Sequence, residues 1–218
     1  MKKILVVVDM QNDFIDGPLG TPEARAIVDN VCAKIREGEW DGIFHTKDTH
    51  HDYNYLDTQE GKNLPIPHCI YRKNGWYYTE KVMEALLSKS FMVEKSTFGA
   101  TLLVDKLREL IDNGKLTADV ELTLIGVCTD ICVVSNALLL KAHFPEMKIV
   151  VDASCCAGST PEKHYMALEV MKSCQVDVVN NKWDDIRSNV AKIIGREFGV
   201  PEEFWTDKGE WITKNFAK

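Results

Sequence analysis

The chain has 218 residues, 45% of them hydrophobic and 27% charged, with 33 acidic side chains against 26 basic ones and a formal net charge of −7. This supports an ordinary buried core in one domain, and it excludes collagen-like, low-complexity and membrane-spanning chains, since no apolar run approaches the ~20 residues that cross a bilayer. The negative field makes nucleic acid a poor partner, and seven cysteines, an odd number in a chain long enough to fold unstapled, are expected as reduced thiols.

The first apolar run, residues 4–8, stops at Asp9. It is too short for the hydrophobic region of a signal peptide and reads as a buried strand of a cytoplasmic protein. A helical period covers 22–35, opened by Thr21-Pro22, a capping hydroxyl with proline at the first helical position. A second strand is predicted over 42–45. The stretch 47–79 then has neither period and is rich in His, Asp, Asn, Tyr and Gly; a loop of that length in a compact domain has a functional reason. Helices over 81–87, 102–111, 130–142, 161–172 and 183–194 alternate with strands over 91–93, 120–125, 149–151 and 176–179. The tail, 197–218, carries Trp205 and Trp211, read as short helices packed on the body or on a second subunit; a homo-oligomer is expected from the latter. Strands that are continuously apolar are covered on both faces. The alternation predicts an α/β fold: a doubly wound, mostly parallel sheet of about six strands between two helical layers, in a single domain over 1–218.

In such sheets the ligand crevice lies beyond the carboxyl ends of the strands. Those ends carry Asp9, Asp48, Lys95 and the segment Gly126-Val127-Cys128-Thr129-Asp130-Ile131-Cys132. Cys132 falls near a helix start, where backbone N–H groups and the dipole favour a thiolate, so it reads as a nucleophile; taken alone it reads first as a small core residue. Cys128, one turn earlier, offers half of a redox pair or zinc site, although no second pair stands at suitable spacing. Lys95 is either a snorkelling surface lysine or an ammonium in need of a partner. Asp9, directly after a central strand, is costly to bury unless paired, the alternative being a loop anchor. Meeting in one crevice would satisfy all three groups. His45 inside the second strand reads as a core histidine, and His143 and His164 as structural or solvent-facing. Cys155 and Cys156 are read as lying after the fifth strand, without chemistry.

The segments Asp9-Met10-Gln11-Asn12-Asp13-Phe14, Lys95-Ser96-Thr97-Phe98 and Gly126–Cys132 followed by Val133 resemble the three signature segments of the isochorismatase-like cysteine hydrolases, over residues 3 to 180. The resemblance implies a catalytic triad of Asp9, Lys95 and Cys132. It also implies a cis peptide at Val127–Cys128 and an oxyanion hole from the N–H groups of Cys128 and Cys132. The loop set Asp48-Thr49-His50, then Glu60, then Pro65-Ile66-Pro67-His68, resembles the metal loop of the nicotinamidase branch. That implies a divalent transition metal, zinc foremost with iron or manganese as the other choices, held by Asp48, His50, Glu60 and His68, with His51 the substitute for Glu60. Without the resemblance, histidines in a polar loop also occur by chance, although two imidazoles and carboxylates suit such a metal.

The implied activity is hydrolysis of the nicotinamide carboxamide to nicotinate and ammonia through a cysteine thioester, in NAD salvage. The implied ring-binding residues are Phe14 and Phe98, with Trp76 or Tyr71 closing the wall; core packing is the other reading of each aromatic. Three other readings stay open. One is a related hydrolase of another small amide, ureido compound or enol ether. The second is a metal-hydroxide hydrolase in which Cys132 is inert, and the third is a binding protein that has lost its chemistry.

Overall fold

The computed structural model describes residues 1–86, 90–117 and 119–182. Six strands, β1 (Lys2–Val8), β2 (Gly42–Asp48), β3 (Ser90–Lys95), β4 (Val120–Val127), β5 (Lys148–Ala157) and β6 (Asp177–Val179), form one sheet in the order β3-β2-β1-β4-β5-β6. All five neighbouring pairs are parallel. The order reverses between β1 and β4, and there the connections on either side leave a crevice at the carboxyl ends.

The helices are α1 (Asn12–Ile15), α2 (Pro22–Ala26), α3 (Val28–Glu37), α4 (Gln59–Asn63), α5 (Glu80–Leu86), α6 (Thr101–Asp112), α7 (Val134–His143) and α8 (Pro161–Ser173). Side chains of β1 alternate between two cores. Ile4, Val6 and Val8 pack with Leu103, Leu107, Ala137, Leu140 and Leu168 from α6, α7 and α8, whereas Leu5 and Val7 pack with Ile15, Val31, Ile35 and Val82 from α1, α3 and α5. Each fully buried aliphatic stabilises by about 1.5–3 kcal/mol. That two-sided burial is why β1 reads as an uninterrupted apolar run, and it holds Asp9 rigidly at the strand's end.

Three expectations change. The helix over 22–35 is two helices. The Thr21 hydroxyl caps α2 by accepting the Ala24 N–H at 3.0 Å, but the Ile27 N–H is shared between the Glu23 and Arg25 carbonyls, which breaks the ladder before α3. The helix over 130–142 begins as a wider π turn, Thr129–Val133, ahead of α7. Cys155 and Cys156 lie within β5, not after it, because that strand resumes pairing with β4 beyond a bulge (Gly126 with Cys156, Val127 with Ala157) and turns the two thiols into opposite cores. The long loop also carries α4 and two 3₁₀ turns, Tyr55–Asp57 and Asn74–Trp76.

The chain divides into compact units Met1–Val179 and Asn180–Lys218. Of the second, residues 180–182 are described. The helix expected over 183–194 and the tail over 197–218 lie outside the described residues. No helix of the described residues is long and apolar enough to cross a membrane.

Candidate active site

Asp9, Lys95 and Cys132 come from β1, β3 and the turn after β4, and they meet. The Lys95 ammonium stands 2.7 Å from Asp9 Oδ2, 3.2 Å from Asp48 Oδ1 and 3.5 Å from Cys132 Sγ. Asp9 is fully buried with φ +49°, a left-handed backbone that costs a non-glycine residue about 1–2 kcal/mol. Thr46 holds it there: its hydroxyl donates to Asp9 Oδ1 at 2.6 Å, and its oxygen accepts the Asp9 N–H at 3.2 Å. The neighbouring strand admits this approach because Gly126 pairs with Val8. A Cβ at Gly126 would lie 2.1 Å from the Val8 carbonyl oxygen, and its φ is +118°. The peptide Val127–Cys128 is cis.

Burial drives the charges of this group. It raises the Asp9 carboxyl above the usual range, with Lys95 opposing. Burial would also strip the Lys95 proton, but the carboxylates of Asp9 and Asp48 hold it well above the ordinary ammonium range. For Cys132, burial and then the Asp9 charge push the thiol well up, and Lys95 compensates only in part. The thiolate expected from the helix start is therefore not the resting form: desolvation and the adjacent carboxylate outweigh both the dipole and the ammonium.

Asp48, His50, Glu60 and His68 converge, with ligand atoms all within 4.8 Å of one another. His50 Nε2 is 2.9 Å from Asp48 and 3.6 Å from Glu60; His68 Nε2 is 3.4 and 3.5 Å from the same two carboxylates. Four ligands at about 2.0–2.1 Å around a tetrahedral ion are about 3.3 Å apart, so the quartet fits a divalent metal. The His68 Nδ1 donates to the Ile66 carbonyl at 2.8 Å, which leaves Nε2 facing the carboxylates, the tautomer that metal-bound histidines adopt. Burial opposes charge on His68, but hydrogen bonds to Asp48 and Glu60 push it up to about 10. Asp48 stays well below the carboxylate range despite burial, because His50, His68 and Lys95 all favour its charged form. A dication would take over the compensation that protons supply here. His51 stands outside the quartet, exposed and stacked on Tyr53.

A cavity of about 380 Å³ joins the two groups. Its lining includes Cys128 and Cys132 together with Asp48, Glu60 and His68, with Phe14 and Phe98 among the walls. The Phe14 ring meets His68 edge-on, with centroids 5.5 Å apart. Trp76 and Tyr71 do not line it, contrary to expectation. The Trp76 N–H donates to Thr49 at 2.9 Å, its ring lies 3.5 Å under the Lys47 ammonium, and the Tyr71 ring meets it edge-on with centroids 5.1 Å apart.

Several site residues escaped the sequence. Gln11 is fully buried and clamps Asp48, accepting its N–H at 2.7 Å and donating to its carbonyl at 2.9 Å and to that of Trp76 at 3.0 Å. Asn136 in α7 donates to the carbonyls of Cys132 (2.7 Å) and Phe98 (3.1 Å) and accepts the Ala100 N–H (2.9 Å), tying the cysteine turn to the segment after Lys95. The position of Gln11 within its motif was a signal for it; Asn136 gave none. Ile131 and Lys163 also line the cavity. The three other histidines are held by neighbours. Tyr78 donates its hydroxyl hydrogen to the Thr46 carbonyl and so accepts from His45 Nδ1 at 2.8 Å; His164 bonds Thr129 at 2.8 Å, and His143 meets Arg108 at 3.1 Å.

Comparison with known proteins gives one matching family, the isochorismatase domain, over residues 3–182. The nicotinamidase of Saccharomyces cerevisiae is 22% identical over 215 residues, covering 82% of this chain and 99% of the relative. The crystal structure of nicotinamidase PncA from Bacillus subtilis superposes with a TM-score of 0.64 at 30% identity, covering 82% of this chain and 99% of that one. The pyrazinamidase of Pyrococcus horikoshii in complex with zinc gives 0.67 at 27% identity, covering 83% and 100%.

Proposed function

The chain belongs to the isochorismatase family, and from that premise we propose that it is an amidohydrolase that converts nicotinamide to nicotinate and ammonia. One observation carries this reading: Cys132 and three members of a quartet suited to a metal, Asp48, Glu60 and His68, line one cavity sized for a small ring. A nucleophile alone would serve any small amide. The second anchor selects a heteroaromatic one.

An amide needs a strong nucleophile, stabilisation of the developing oxyanion and a proton for the departing nitrogen. Because the resting sulfur keeps its proton, attack on the carboxamide carbon requires Asp9 to take that proton as the C–S bond forms. The N–H groups of Cys128 and Cys132 would receive the carbonyl oxygen as it becomes negative. Asp9 then returns the proton to nitrogen, ammonia leaves, and a thioester to Cys132 remains. Water, deprotonated by Asp9, cleaves the thioester to nicotinate and restores the thiol. Lys95 keeps Asp9 in its charged form between steps by direct ion pairing. A divalent ion held by Asp48, His50, Glu60 and His68 would supply a Lewis acid for the pyridine nitrogen and so orient the ring; the Pyrococcus horikoshii relative is a complex with zinc. Phe14 and Phe98 form apolar walls for that ring. We place this reaction in NAD salvage, in a cytoplasmic protein, with a homo-oligomer as the expected state.

The test is ammonia and nicotinate released in equal amounts from nicotinamide by the metal-loaded protein, with small ureido compounds and aliphatic amides as comparators. Turnover of a comparator with nicotinamide untouched would overturn the reading.

A further inference from the structure

Of the two buried lysines among the described residues, Lys47 and Lys95, only Lys95 has a part in the proposed chemistry. Lys47 is 3% exposed yet forms no ion pair with a described residue; the Glu94 carboxylate opposite it in β3 acts only at longer range. Its ammonium lies instead over three rings, 3.5 Å from the centroid of Trp76, 4.7 Å from Tyr78 and 5.1 Å from Tyr77. Burying a charge without an anion is costly, and what this one orders is Trp76. A desolvated ammonium over an indole face is worth a factor of about 30 in an equilibrium constant.

Trp76 grips the segment that carries the quartet at two points. Its indole N–H donates to the Thr49 hydroxyl at 2.9 Å, and that hydroxyl donates onward to the Lys47 carbonyl at 3.2 Å. Thr49 stands between Asp48 and His50, two members of the quartet. The Trp76 carbonyl accepts from the Gln11 amide at 3.0 Å, and the same amide accepts the Asp48 N–H at 2.7 Å and donates to the Asp48 carbonyl at 2.9 Å. Lys47, Trp76 and Thr49 thus close a ring of contacts next to the clamp on Asp48. Successive side chains of a strand face opposite ways, so the Lys47 ammonium points away from the quartet: it shares its face with His45, and both meet Tyr78.

We propose that Lys47 is a positioning residue for the metal quartet: its ammonium fixes Trp76, and Trp76, through Thr49 and Gln11, fixes the backbone that presents Asp48 and His50. This rests on the metal part of the nicotinamidase reading. Lys47 touches neither metal nor substrate and acts only through its neighbours. Removing an outer partner of a metal ligand costs about 10- to 100-fold in metal affinity, and the factor available from the ammonium over the ring falls within that span.

The experiment measures the zinc affinity of the full chain, by competition with a chelator of known affinity, for the wild type, Lys47→Met, Trp76→Phe and the double variant. Methionine keeps the length and the apolar contact with the rings but not the charge; phenylalanine keeps a ring under the ammonium but not the N–H to Thr49. Each single variant should weaken zinc binding at least about tenfold. The double variant should bind zinc at least about fivefold more tightly than the product of the two single losses would give, because both changes act on one link. Lys47→Gln stands beside Lys47→Met with the same expected loss, so that a folding failure in one, read from its urea unfolding curve, leaves the other. A Lys47 variant that loses stability but keeps its zinc affinity within about threefold of wild type shows a lysine that supports only the fold, and the proposal fails. Two single losses that multiply in full overturn it as well, since Lys47 would then act by a route other than Trp76. If the wild type itself does not bind zinc, the metal part of the nicotinamidase reading falls and this role with it.

Discussion

Replacing Lys95 with methionine keeps most of the side-chain volume and removes one charge. In the wild type that charge stands 2.7 Å from Asp9 and 3.2 Å from Asp48, and both carboxylates are buried. At an effective dielectric of about 20 each contact is worth about 5–6 kcal/mol before desolvation. Most of this only offsets the cost of burying the ions, so the net loss on removing one partner is about 3–5 kcal/mol. Urea unfolding would read it. The sign with pH is fixed by Asp9. Its folded carboxyl already lies above the unfolded value and rises further without Lys95. Below the unfolded value, both states are protonated and the orphan charge costs nothing. As pH rises, the unfolded state ionises first, so stability falls until the folded group ionises too. The wild type shares that fall up to its own folded Asp9 value, so the deficit of Lys95→Met should grow only as pH rises above that value. Adding Asp9→Asn should recover at least about 1 kcal/mol, since neighbours in one network couple by 0.5–3 kcal/mol. A Lys95→Met variant within about 1 kcal/mol of wild type at pH 7, with no pH trend, would refute the idea that this ammonium compensates buried charge.

Gly126→Ala sets a Cβ 2.1 Å from the Val8 oxygen at a φ of +118°, in a central strand pair that cannot separate; a loss of at least about 3 kcal/mol is expected from unfolding curves. His45 is held neutral by burial, with Lys47 adding repulsion, and its imidazole lies at about 4. Between about pH 6.5 and 4 the unfolded state binds a proton the folded state refuses, so stability falls toward acid by up to about 1.4 kcal/mol per pH unit, and His45→Gln should remove that slope in a parallel titration. Zinc added to chelated protein should raise the melting temperature through mass action. His68→Ala should abolish that rise, whereas His51→Ala should preserve it, since His51 stands outside the quartet.

The triad was legible because a parallel doubly wound sheet brings every strand's carboxyl end to one edge. Asp9 and Lys95 terminate or follow apolar runs, and Cys132 follows a glycine-marked turn, so three distant positions share one address. The quartet was legible through the resemblance of its loop and not from residue type, since histidines in a polar loop also occur by chance; the structure brings its four side chains together. The state of the sulfur was not legible. It depends on how completely other segments exclude water from Cys132 and on which Asp9 oxygen faces it, and neither is written locally. Trp76 and Tyr71 misled for the same reason: an aromatic in a loop gives no direction, and Trp76 lies under the buried Lys47 ammonium instead. Gln11 and Asn136 act through backbone groups of their partners, and such contacts leave no pattern in composition or period.

The account depends most on the sulfur as the attacking atom. Nicotinamide turnover by metal-loaded Cys132→Ala, measured as ammonia beside the wild type, tests this with the fold and the metal quartet left in place. Loss of kcat/KM by about 10⁴-fold or more is the predicted result. Turnover within about tenfold of wild type would mean that water attacks the amide directly and that Cys132 is only part of the wall.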